Sequence, residues 1–145
     1  MRELADHILH RANVIDTPIT NLQLQKIMYF TLGFMLENNR ELAEEMFNND
    51  KMEAWLYGPV VPDVYEKYKK YKNRPIEELG VNSMKLNSGE VNEIIDLLID
   101  VDPFKLVKIS HNHQFWREQE DEIKYNNKRP SYNFENIEEA FNVKQ

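Results

Sequence analysis

At Ser110-His111-Asn112-His113 a hydroxyl stands beside one imidazole and two residues from a second, the residue types of a nucleophile with its base or of a metal site. Spacing argues against both. Sequence neighbours do not share a helix face, so Ser110 and His111 lack the mutual geometry of a nucleophile and its base, and no G-x-S-x-G turn precedes them. His111 and His113 would need Asp or Glu ligands from elsewhere, because the chain has no cysteine. Carboxylates are plentiful, among them Glu41, Glu44, Glu45, Asp50, Glu53 and Asp63, and paired acids can do proton transfer or hold a cation. They read mostly as solvated surface groups. Asp63 differs, since it follows Pro62 in a first helical turn where negative charge favours the helix dipole; a salt bridge to a partner is its alternative role. There is no P-loop, Rossmann glycine pattern or H-E-x-x-H. With four glycines the chain has little material for a phosphate cradle, so no catalytic residue, cofactor or metal is expected. A hydrolase or metal-dependent activity around Ser110, His111 and His113 stands as the enzyme alternative.

The most constrained segment is residues 53–65, EAWLYGPVVPDVY. Gly58 is open to backbone angles closed to other residues, Pro59 fixes its own φ and biases Gly58, and Pro62 suits the first turn of a helix. A constrained turn feeding a helix follows. Trp55, Tyr57 and Tyr65 surround it with aromatic area that serves either core packing or contact with a partner.

Around that segment the periodicity is helical. Leu4, Ala5, Ile8, Leu9 and Ala12 form one apolar stripe, and Asp16-Thr17-Pro18 ends that helix. Thr20 with Gln23 has the form of a capping box opening a helix to about residue 38, whose apolar residues occupy nearly every face. This is the expected central, buried helix. Residues 42–57 read as a small β-hairpin or short extended segments. The helix from Pro62 presents Val64 or Tyr65, then Tyr68 and Tyr71 inward and its lysines to solvent, ending before Pro75. Residues 75–87 read as loop, with 84–86 as one more short strand or extended segment. Ser88 caps a helix with Val91, Ile94, Ile95, Leu98 and Val101 inside, and Asp102-Pro103 closes it and opens the next. Residues 126–133 read as loop before a terminal amphipathic helix carrying Phe134, Ile137, Ala140 and Phe141. The fold class is mainly α, one compact multi-helix domain over residues 1–145.

Composition narrows the partners. The net charge of -7 argues against general nucleic-acid binding, which needs clustered Lys and Arg. The nearest approach to a basic stripe, Lys67, Lys69, Lys70, Lys72 and Arg74, reads as a solvated helix face, and the acidic whole suits a basic partner. No apolar run has the length of a bilayer span, the first residues lack a signal-peptide pattern, and absence of cysteine suits a reducing cytoplasm.

NLQLQKIMYFTLGFMLE, EAWLYGPVVPDVYEKYKKY and ISHNHQFW, in that order, resemble the SocA-like antitoxin domain, also called the Panacea domain and related to phage-associated GepA proteins. The resemblance covers residues 1–117. Lys26, Tyr29, Ala54, Gly58, Pro59, Val60, Pro62, Tyr65, Ser110, His111 and Trp116 stand at its motif positions. It implies a non-enzymatic protein that binds and neutralises a cognate protein toxin, by occlusion or as an adaptor to a protease. The other reading in the same class is a phage or mobile-element protein that inhibits or retargets a host enzyme. The expected contact surface is a groove at the Gly-Pro turn, with Trp55, Tyr57, Gly58, Pro59, Val60, Pro62, Asp63 and Tyr65 as its residues and acids matching a basic partner. Lys26, Tyr29, Ala54, Ser110, His111 and Trp116 are expected to support the fold.

Overall fold

The computed structural model describes residues 1–142. Its elements are α1 (Arg2–Val14), α2 (Asn21–Asn38), α3 (Arg40–Asn49), β1 (Glu53–Trp55), β2 (Gly58–Val60), α4 (Pro62–Tyr68), α5 (Gly89–Ile99), α6 (Pro103–His111), α7 (Gln114–Glu118), α8 (Glu120–Asn126) and α9 (Phe134–Ala140). Helix α2 is the axis. The Thr20 side chain accepts from Gln23 N–H while Gln23 accepts from Thr20 N–H, the reciprocal capping box the sequence announces. Downstream, Leu24, Ile27, Met28, Leu32 and Met35 are buried on all sides by α1, α3, α5, α6, α9 and the hairpin. That all-round burial is why the helix lacks a polar face.

Helices α1 and α5 close one flank. Leu4, Ala5, Ile8, Leu9 and Ala12 are buried as the stripe predicts, and Arg11 makes a two-pronged ion pair with Asp96 at 2.6 and 3.0 Å. His7, fully buried, accepts from Ser83 N–H at 3.0 Å and donates to Asn92 Oδ1 at 2.7 Å, tying α1 to α5 and to the connecting loop. Burial lowers its pKa and keeps the ring neutral, the state this pair of bonds requires.

Two expectations shift. Residues 40–49 are helical, capped by Asn39 and burying Ala43, Met46 and Phe47, so the hairpin occupies 53–60 and not the earlier part of 42–57. The alternation of that stretch is short enough to satisfy either period, and the Asn39 cap decides for the helix. Residues 84–86 are a turn, not a strand: Leu86 and Asn87 N–H both reach back to Ser83 O, and Met84 is exposed. Helix α8, polar except for buried Ile123, had no clear apolar period to announce it.

The terminal helix α9 docks on α2 through a cluster of Tyr29, Phe30, His113, Tyr132 and Phe141. Gly33 makes that approach possible, because a Cβ there would overlap the Phe141 ring. Gly33→Ala is expected to expel the ring, lower stability by about 1–2 kcal/mol and speed amide exchange across α9 ahead of α2, read by hydrogen exchange. Uniform exchange across both helices would refute the assignment. No helix among the described residues is long and apolar enough to cross a membrane.

Candidate functional site: the clamped hairpin and its groove

Strands β1 and β2 pair antiparallel in the register Glu53–Val60, Ala54–Pro59, Trp55–Gly58, leaving Leu56 and Tyr57 as the turn. Neither turn residue has positive φ, so the turn is not the primed type that matches strand twist; Gly58, at φ +99°, absorbs the mismatch. The second demand on Gly58 is space. A Cβ there would lie 2.5 Å from Ser110 Oγ and 3.2 Å from Lys26 Cε, so this position needs glycine on both counts.

A short two-stranded ribbon is weak alone, and here the backbone groups of the turn are held from below. Trp116 Nε1–H donates to Trp55 O at 2.9 Å, His111 Nε2–H to Leu56 O at 3.0 Å, and Lys26 Nζ to Pro59 O at 2.9 Å. Gln25 Oε1 accepts from Val61 N–H at 2.9 Å; its amide donates to Asn21 Oδ1, whose own amide donates to Tyr65 O. The His111 ring stacks on Trp116 with centroids 3.7 Å apart. Ser110 Oγ–H donates to Val107 O at 2.7 Å. On the other edge, Ala54 N–H donates to Pro130 O and a bridge joins Glu53 to Ser131.

The motif residues scattered over α2, the hairpin, α6 and α7 therefore form one clamp. Lys26, Ser110, His111 and Trp116 meet at the base of the turn beside Ala54, and Gly58 and Pro59, expected at the contact surface, are enclosed there with them. Tyr29 does not join them: its hydroxyl shares a 2.6 Å hydrogen bond with His113 Nδ1 in the α9 cluster. The two histidines thus serve opposite sides of α6–α7. Burial lowers the pKa of both and holds them neutral. Burial also pulls the fully enclosed Lys26 amine down from 10.5 to about 7.

Beside the clamp an open groove of about 940 Å³ runs between the hairpin, the start of α2, the end of α4, the start of α6 and the stretch after α8. Trp55, Tyr65 and Val60 line it, with Trp55 and Tyr65 packed edge to face at 4.9 Å. Leu56, Tyr57 and Phe104 are 49%, 56% and 63% exposed at its mouth, large apolar side chains that folding leaves uncovered. Four exposed lining residues, Lys69, Lys72, Lys128 and Arg129, are basic, Lys26 lies buried behind them, and no described lining residue is acidic. The acids expected to match a basic partner are therefore not in this groove, whose exposed charges are positive.

Several candidate contact residues are placed differently from one another. Trp55, Tyr57, Val60 and Tyr65 line the groove; Gly58 and Pro59 are buried beneath the turn; Pro62 opens α4. Asp63 is outside the groove, paired with exposed Arg2 at 3.0 Å. The basic run is solvated as expected, with Lys67, Lys69, Lys70, Lys72 and Arg74 all exposed, and it divides: Lys69, bound to Glu66 at 2.7 Å, and Lys72 line the groove, whereas Lys67 lies over the Tyr68 ring. Asn21, Gln25, Leu56, Phe104, Lys128 and Arg129 belong to the site and were missed. Gln25 carried a signal, as a polar residue beside Lys26 within a largely buried helix.

The fold and site define a class: a helical domain that holds a two-stranded hairpin rigid beside an open, basic and apolar groove. Residues 24–117 match the family described as Antitoxin SocA-like, Panacea domain, and the chain belongs to it. It is 43% identical over 65 residues to "Antitoxin SocA" of Caulobacter vibrioides (strain NA1000 / CB15N), a match taking in 44% of this chain and 32% of that protein. The chain thus covers about a third of that relative's length. No solved structure matches.

Proposed function

We propose that this protein is an antitoxin that binds a cognate protein toxin by direct contact and neutralises it, with the hairpin groove as the contact surface. The carrying observation is the pairing of exposed Leu56, Tyr57 and Phe104 with a turn whose carbonyls are fixed by Trp116, His111 and Lys26. A surface already rigid loses little conformational entropy on binding, and aromatic anchors supply most of the energy at such sites. The reading is of a non-catalytic protein. In its support, the Ser110 hydroxyl is enclosed and donates to Val107 O, and the His111 ring is spent on the hairpin.

Coexpression with the adjacent reading frame tests it, scoring growth rescue and copurification. Tyr57→Ala is expected to fold with unchanged melting temperature yet lower affinity for the copurified toxin roughly tenfold to a hundredfold, while Asp63→Ala, outside the groove, leaves affinity unaltered. If Tyr57→Ala binds like the wild type, the groove is not the contact surface.

A further inference from the structure

We infer that the groove takes an acidic segment of its partner, in which Asp or Glu side chains alternate with apolar ones. This rests on the toxin-binding reading for which protein supplies the segment, but not for its chemistry. The chain carries 25 acidic against 18 basic residues, yet the groove lining has basic residues and no acid. So local a reversal of the global sign points to the charge of whatever enters.

The cations are also arranged for an outside anion. Lys72 and Lys128 are exposed at the rim and form no ion pair with any described residue. Lys72 is held at φ +54°, a conformation lysine seldom adopts, directly after the 3-10 turn Lys69–Tyr71. Arg129 lies over the Trp55 ring at 3.8 Å, which spreads its guanidinium along the groove wall with no carboxylate of the described residues paired to it. Between these charges the surface is apolar: Leu56, Tyr57 and Phe104. An acid-only chain would leave that surface wet, and an apolar-only chain would leave the lysines unmatched. A nucleic acid is disfavoured because the net charge of -7 repels a polyanion beyond the groove, and only a few cations stand free inside it.

Three probes test this on the full-length protein by calorimetry and tryptophan fluorescence. They are a capped twelve-residue peptide alternating Asp and Glu with Phe and Leu, its Asn and Gln counterpart, and a twelve-nucleotide oligothymidylate. The acidic peptide is expected to bind saturably, to perturb Trp55 fluorescence, and to weaken as salt rises. Lys72→Glu with Lys128→Glu, both exposed and harmless to the fold, should cut its affinity at least about tenfold with an unchanged melting curve. Equal binding by the amide peptide, preference for the oligonucleotide, or indifference to the double reversal overturns the inference. If the acidic peptide fails while Tyr57→Ala still releases the coexpressed toxin, this inference falls and the antitoxin reading stands. If the peptide binds and no neighbouring product copurifies, the chemistry stands and the toxin reading falls.

Discussion

Trp116→Ala is expected to lower the unfolding free energy by about 3–5 kcal/mol, the range for emptying a buried aromatic site. Trp116 is 2% exposed and has three attachments: core packing, the stack on His111, and the indole N–H on Trp55 O. Truncation opens a cavity, frees the His111 ring that holds Leu56 O, and leaves the Trp55 carbonyl without its donor. Trp116→Phe restores most of the volume and the stack but not the donor, so about 1–2 kcal/mol should remain missing. Denaturant unfolding of the three proteins measures both steps. The phenylalanine variant also separates fold from site: it should keep the helical core while hydrogen exchange quickens at the turn, residues 53–60. If Trp116→Phe instead matches the wild type in stability and in turn protection, the indole hydrogen bond does not hold the hairpin.

The clamp explains why the local reading of residues 53–65 was correct about rigidity and silent about its cause. Gly58, Pro59 and Pro62 announce a restricted backbone from their own covalent geometry. What fixes the turn comes from Lys26, 33 residues before the carbonyl it holds, and from His111 and Trp116, 55 and 61 residues after theirs, and no local rule links residues so far apart. Helices were legible where caps and stripes coincided, as at Thr20, Ser88 and Asp102, each of which accepts from a first-turn N–H. They were not where the apolar period is short, as in α3, or nearly absent, as in α8. The groove was least legible of all. Its basic lining gathers Lys69 and Lys72 after α4 with Lys128 and Arg129 after α8, and each pair taken alone looks like ordinary solvated charge.

Lys26→Met should be more stable than the wild type at pH 7 and bind its partner less well. Desolvation drops the Lys26 pKa from 10.5 to about 7 in the folded protein, with no carboxylate among its causes. Between those values the unfolded chain holds a proton that the folded protein lacks, so wild-type stability climbs with pH across the window and is lost as pH falls toward 7. At about 1.4 kcal/mol per pH unit, the deficit at pH 7 is on the order of 4 kcal/mol. Methionine avoids it but leaves Pro59 O unpaired, at about 1–3 kcal/mol. The net gain at pH 7 is therefore about 1–3 kcal/mol, and the difference between the two proteins should shrink and reverse sign on going from pH 7 to pH 9.5. Taking the difference cancels the titration of Tyr29, Tyr68 and Tyr132, which burial holds neutral in both. A buried amine kept at such expense is explained by what it holds: the Pro59 carbonyl, beside Gly58 and beneath the turn that borders the groove. Lys26→Met should accordingly loosen the turn and weaken partner binding while raising the melting temperature, the trade between stability and function expected where a strained site does the work. A variant that is less stable than wild type at pH 7, or whose stability difference does not change with pH, would show that Lys26 is charged and paired in the fold.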